Sequence, residues 1–216
     1  MAELKQFGVK TFHMVDCLGD AGHGEFSRVE KFYRQAIVVN LSKILASSDL
    51  QPIWSAVLDN DWKSTVNDST FLKRYPKPLH LCFDDIVANL AGWSREHADG
   101  EKVVPMFAWN KEYGPKMQAL GDIWAEQDWY SSTLRCISFG KPSDVMPLQA
   151  ADFLVHEIGW YWNNVFFGPR PTLVDSGFRV ILDNATKAHG MERGGCYTAD
   201  ALKLRISEFS LRNQQS

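Results

Sequence analysis

Three groups of residues have types and spacing that could do chemistry. The first lies in Met146-Pro147-Leu148-Gln149-Ala150-Ala151-Asp152-Phe153-Leu154, where a carboxylate interrupts an otherwise apolar stretch. From Pro147 to Phe167 apolar residues cover most of the circumference at 100° per residue, which predicts a helix that is mainly buried. Gln149, Asp152, His156 and Asn163 fall within about 60° of one another on that helix, a narrow polar stripe. An unpaired buried carboxylate is costly, so Asp152 must be capped, paired, protonated or metal-bound. Two readings stay open. Asp152 is a first-turn acid, favoured by about 0.3–1 kcal/mol, or it is a ligand for a divalent cation.

The second group is Phe12-His13-Met14-Val15-Asp16, an imidazole and a carboxylate three residues apart. It is placed at the end of a strand predicted over Phe7–Val15, beside the turn Gly19-Asp20-Ala21-Gly22-His23-Gly24 and Glu25. His13, Asp16 and Glu25 are credible ligands, and Asp and Gly also belong in turns for their own reasons. The third group, Asp59-Asn60-Asp61, offers oxygen donors that suit a hard cation such as Mg²⁺. It lacks the later glycine and glutamate of a helix-loop-helix calcium site, and turn chemistry explains it more simply.

The elements that must position these groups alternate between strand and helix. Phe26 to Leu45 carries apolar residues at helical spacing and ends near Ser47-Ser48-Asp49. Pro52–Leu58 reads as a buried strand closed by Asp59-Asn60-Asp61. Leu79–Trp93 reads as a core helix, Val103–Trp109 as a strand, Lys111–Tyr130 as an interrupted helix and Thr133–Phe139 as a strand leading into the Asp152 helix. A helix near Val174–His189, a glycine break at Gly190 and Gly194-Gly195, and a last amphipathic helix complete the chain. The class is α/β, a central sheet flanked by helices. With no repeat or linker, residues 1–216 read as a single domain, with a core over about 7–167 and a helical extension over about 173–212.

At 216 residues and 45% hydrophobic content the chain can bury a substantial core. A net charge of −3 argues against a protein that holds nucleic acid by bulk charge. Its eight tryptophans and thirteen phenylalanines are assigned to the core by default. There is no Gly-x-x-x-x-Gly-Lys-Ser/Thr loop, Gly-x-Gly-x-x-Gly, Gly-x-Ser-x-Gly elbow or His-Glu-x-x-His, so P-loop hydrolysis, dinucleotide redox and serine hydrolase chemistry lose support. Cys17, Cys82, Cys136 and Cys196 form no Cys-x-x-Cys pair and are expected to be reduced thiols. Without a signal-like apolar start or an apolar run of membrane-spanning length, the expectation is a cytoplasmic protein with no membrane partner.

Phe12-His13-Met14, Gly24-Glu25-Phe26 and above all Pro147-Leu148-Gln149-Ala150-Ala151-Asp152-Phe153 resemble the domain-of-unknown-function 3800 family, over about residues 7–165. The resemblance implies an RNase H-like fold with a mixed central sheet. It also implies acidic residues that bind Mg²⁺ or Mn²⁺ for phosphodiester cleavage, with nucleic acid as the partner. Two features depart from the family pattern. The family's Asp-Glu-Ser-Gly strand is not found ahead of Phe7, and Val103-Val104-Pro105-Met106-Phe107 is followed by Ala108-Trp109-Asn110 where the family often has an acid.

Of the family's acidic set Asp152 transfers, and Asn110 is a weak substitute ligand. Two-metal phosphoryl chemistry holds cations about 3.5–4 Å apart with several carboxylates. Asp16, Glu25, Asp59 or Asp61 must therefore join Asp152, with His13 or His156 orienting water or protonating a leaving group. Gln149, His156 and Asn110 are candidate binding residues. The leading expectation is a metal-dependent nuclease-like protein; the alternative is a catalytically inactive binding or assembly subunit of the same fold. A sheet lacking a central strand exposes an edge, which predicts either a homodimer through that edge or a rearrangement in which Phe7–Val15 fills it.

Overall fold

A computed structural model describes residues 4, 7–18, 22–48, 50–168, 181, 183 and 193–213. Among the described residues the first elements are α1 (Met14–Leu18), a 3-10 turn (Gly24–Arg28) and α2 (Lys31–Ser47). β1 (Ile53–Val57) leads through α3 (Asp59–Thr65) and α4 (Ser69–Arg74) to the long α5 (Pro78–His97). Then come β2 (Met106–Ala108), α6 (Gly114–Ala125), α7 (Asp128–Ser131), β3 (Ser138–Gly140) and α8 (Met146–Phe167). β4 (Arg193–Tyr197) and α9 (Ala199–Asn213) follow. The chain is mixed α/β, and no described helix is long and apolar enough to cross a membrane.

Among the described residues the strands pair as two two-stranded sheets, β1 with β4 and β2 with β3, in place of one central sheet. The expected helix near Val174–His189, apart from Ile181 and Asp183, and the residues Gly19 to Ala21 and Gly190 lie outside the described residues. The chain divides into two compact units that interleave in sequence. One comprises Met1–Pro52, Met106–Ala108 and Phe139–Glu192; the other comprises Ile53–Pro105, Trp109–Ser138 and Arg193–Ser216.

In the first unit α1 packs against α2 and α8. Phe12, Met14, Cys17, Phe26, Ile37 and Phe153 share its core, with the Phe12 ring 6.0 Å from Phe26 and 6.1 Å from Phe153. α8 begins with Pro147 in its first turn, where the missing N–H leaves no bond unmade. Its buried side carries Leu148, Gln149, Phe153, Glu157 and Ile158, whereas Val155 is 69% exposed, so the helix is half covered and not mainly buried as its composition predicts. The helical pattern starting at Phe26 also divides. Val29 and Glu30 are extended, which separates the 3-10 turn from α2.

Phe7–Val15 is not a strand. Phe7 and Val9 both donate to the Leu4 carbonyl, which turns the chain, and Met14 already begins α1. The backbone donors that a ladder would use go to side chains: Lys10 and Thr11 N–H to Glu25, Phe12 N–H to Gln149 and Met14 N–H to Asp152. The alternating pattern reports the buried anchors Val9, Phe12 and Met14, which an irregular clamped segment satisfies as well as a strand does.

In the second unit β1 and β4 run parallel, with Ile53 opposite Arg193 and Val57 opposite Tyr197. Gly194 and Gly195 are strand residues here, not a break. A Cβ at Gly194 would lie 2.4 Å from the Trp54 carbonyl oxygen, so the close pairing of β1 and β4 requires glycine at that position. α5 covers β1. α9 packs on α3 and α4 around Trp62, Phe71, Tyr75, Leu81 and Leu202, with the Phe209 ring edge-on to Phe71 at 5.4 Å. Under this layer Asp84 of α5 accepts the Tyr75 hydroxyl at 2.9 Å and lies 3.3 Å from Arg205 and 3.9 Å from Arg74.

Candidate functional site

The two motifs that stand out in the sequence meet in the first unit. Phe12 N–H donates to Gln149 Oε1 at 2.8 Å and Met14 N–H donates to Asp152 Oδ2 at 3.0 Å. Gln149 and Asp152 are one turn apart on α8, and Phe12 and Met14 bracket His13. Gln149 Nε2 donates to the Pro142 carbonyl at 2.9 Å, which locks the amide between two backbone segments. Phe12 buries its ring beneath the segment, so His13 faces outward, 48% exposed.

The imidazole lies between two carboxylates. His13 Nδ1 is 3.7 Å from Asp16 Oδ2, and Nε2 is 3.9 Å from Asp152 Oδ1. These separations are charge contacts, longer than hydrogen bonds. Asp16 is further fixed from the turn that follows α1, because His23 N–H donates to its backbone carbonyl at 2.9 Å. Gly24, at φ +54, keeps a left-handed turn next to the Asp16 carboxylate that other residues rarely adopt. Glu25 takes Lys10 N–H at 2.7 Å and Thr11 N–H at 3.2 Å on one oxygen; these two donors hold its carboxyl below the usual range.

The remaining sequence candidates are placed elsewhere or engaged otherwise. Asp59 and Asp61 belong to the second unit, in the first turn of α3; Asp59 pairs with Lys63, and Asp61 accepts Ala199 N–H at 2.8 Å at the start of α9. Asn110, also in the second unit, accepts from Glu112 and Tyr113 N–H and turns the chain into α6. His156 lies one turn beyond Asp152 on α8, with Nδ1 3.7 Å from Glu157 Oε1, and Asn163 of the same stripe is exposed.

Among the described residues no group of three or more His, Cys, Asp or Glu side chains is placed to hold a metal ion. Each ring nitrogen of His13 has a different carboxylate beside it, Asp16 at Nδ1 and Asp152 at Nε2. What the arrangement can do is relay or hold a proton: one ring nitrogen faces a carboxylate while the other accepts or gives a proton opposite it.

Sequence periodicity finds Gln149 and Asp152 but not their partners, since backbone donors leave no mark in residue type. The one available signal is that Glu25, Gln149 and Asp152 are acceptors flanking a segment with no strand to pair with. No protein-family model, no curated protein and no solved structure matches the chain.

Proposed function

We propose that the protein is a nuclease-like phosphodiester hydrolase of RNase H-like fold, similar to the domain-of-unknown-function 3800 family and cytoplasmic, with His13 and Asp152 at the reacting edge. The observation that carries this reading is the union of the Phe12-His13-Met14 and Leu148–Asp152 motifs through two side-chain acceptors. Asp152 Oδ2 is fixed on Met14 N–H, which turns Oδ1 toward the imidazole. Asp16 orients the ring from its other side. His13 then takes a proton from water or gives one to a leaving oxygen, a role worth about 10²–10⁴-fold in rate.

Labelled DNA, RNA and hybrid duplexes, incubated with Mg²⁺, Mn²⁺ or chelator, test it directly. Cleavage by the native chain should fall by about 10²-fold or more in Asp152→Asn and in His13→Ala. Equal cleavage by native chain and Asp152→Asn, or none by either, removes Asp152 from catalysis.

A second reading, a catalytically inactive binding or assembly subunit of the same fold, is favoured by one specific feature. Gln149 and one Asp152 oxygen are occupied in fastening the Lys10–Met14 segment, which gives the motif a structural purpose without chemistry. In that case the native chain shifts the mobility of the same substrates, or forms a homodimer through a sheet edge, and cleaves nothing.

A further inference from the structure

Between α5, β4 and the start of α9 the second unit holds a cavity of about 230 Å³. One wall is α5, through Asp85 and Asn89 at one-turn spacing; the other is β4, from Gly194 to Tyr197. The donors on these walls are turned onto the walls themselves. The Tyr197 hydroxyl donates to Asp85 Oδ1 at 3.1 Å, and Asn89 Nδ2 donates to the Asp85 backbone carbonyl at 2.9 Å.

Apart from the second N–H of Asn89 and the weak Cys196 thiol donor, what the side chains leave over are acceptors: Asp85 Oδ2, Asn89 Oδ1 and the lone pairs of the Tyr197 hydroxyl. Burial holds the Cys196 thiol up at about 11 and raises Tyr197 as well, so both stay neutral, and Asp85 is the one carboxylate among the described lining residues. The nearby Arg205 guanidinium is engaged by Asp84 at 3.3 Å and by Glu208 at 3.7 Å, and its charge also acts on Asp85 and Tyr197.

The two glycines of β4 differ. Gly194 is forced by Trp54, but a Cβ at Gly195 would meet nothing within 4 Å. Gly195 therefore has no packing reason to be glycine; its effect is to keep the cavity open.

We propose that this cavity binds a small organic cation rich in N–H donors, an alkylguanidinium or alkylammonium, with Asp85 as counter-charge and Asn89 and Tyr197 as further acceptors. A lining with one carboxylate and a majority of acceptors among its side chains complements such a group and disfavours anions.

Calorimetric titration of the full chain with methylguanidinium and n-butylammonium chloride tests this, with tetramethylammonium chloride as a cation of the same charge and no N–H. Saturable binding in the roughly millimolar range is expected for the first two and none for the third. Asp85→Asn keeps an acceptor for Tyr197 but loses the charge, and should weaken binding at least about tenfold. Gly195→Val fills open space and should abolish binding while the melting temperature stays that of the native chain. Equal binding of tetramethylammonium, full binding by folded Gly195→Val, or no binding of either donor-bearing cation overturns the proposal.

Discussion

Asp152 has two oxygens with two different tasks, and substitution can separate them. Oδ2 accepts a backbone N–H, which an asparagine carbonyl oxygen could also do; Oδ1 brings negative charge to His13. Asp152→Asn is therefore expected to change stability by less than about 0.5 kcal/mol in urea unfolding, whereas Asp152→Ala loses about 1–3 kcal/mol by leaving the Met14 N–H unpaired. Gln149→Ala should cost about as much, since the buried Phe12 N–H loses its acceptor.

His80 makes a second residue-scale case. In the second unit its ring is 3% exposed, edge-on to Tyr113, and neither nitrogen has a hydrogen-bond partner among the described residues. Burial first, then the cations of Lys116 and Lys77, push its titration below the ordinary value of 6.5. The unfolded chain therefore takes up the proton before the folded one does. Stability is full above about pH 6.5 and falls as the pH drops below it, until the folded imidazole also titrates. Urea midpoints measured across that range should fall in the native chain and stay flatter in His80→Phe.

Among the elements, α5 carries the most consequential buried charge. Asp84 is 7% exposed and serves Tyr75, Arg205 and Arg74 together, and burial, the largest influence on it, raises its carboxyl pKa. Asp84→Ala takes the carboxylate from Arg74 and the nearer of two from Arg205, which keeps Glu208, and is expected to cost about 3 kcal/mol, read from denaturant unfolding. At β4, Gly194→Ala forces its methyl against the backbone of β1, which cannot give way as a flexible side chain can. A loss of about 1–3 kcal/mol or more is expected, whereas Gly195→Ala should change stability by less than about 0.5 kcal/mol.

Element type was most legible where one periodicity ran unbroken. Leu79–Trp93 announced α5 through helical spacing sustained over four turns, and Pro52–Leu58 announced β1 through a short apolar run bounded by Pro52 and Asp59-Asn60-Asp61. Phe7–Val15 misled because alternation records burial, and the hydrogen bonds that decide between strand and clamp come from residues 14 to 138 positions away. Gly194-Gly195 misled for a related reason: glycine marks both a chain break and a close strand approach, and only Trp54 distinguishes them. In the site, Gln149 and Asp152 were legible as a polar exception on apolar ground, and His13 through its spacing from Asp16. Asp85 and Asn89 were not, because they look like ordinary surface residues of an amphipathic helix.

At the scale of the molecule, a net charge of −3 sets how a polyanion could be met. Attraction must be local, so if nucleic acid binds, its affinity should depend weakly on salt, with a log–log slope shallower than about −3 in fluorescence anisotropy. The division into two interleaved units was not legible, because no linker or composition change marks it. The chain passes from one unit to the other at short stretches such as Met106–Ala108, where sequence shows only a brief apolar run.

The fastening of Lys10 to Met14 has a kinetic signature. Amides in irregular chain ordinarily trade their protons with solvent quickly, yet those of Phe12 and Met14 are held by side chains of α8 that must let go first. Deuterium uptake at these two positions should be slow in the native chain and should accelerate one at a time, Phe12 in Gln149→Ala and Met14 in Asp152→Ala. A deuterium map alone would report a strand where there is none.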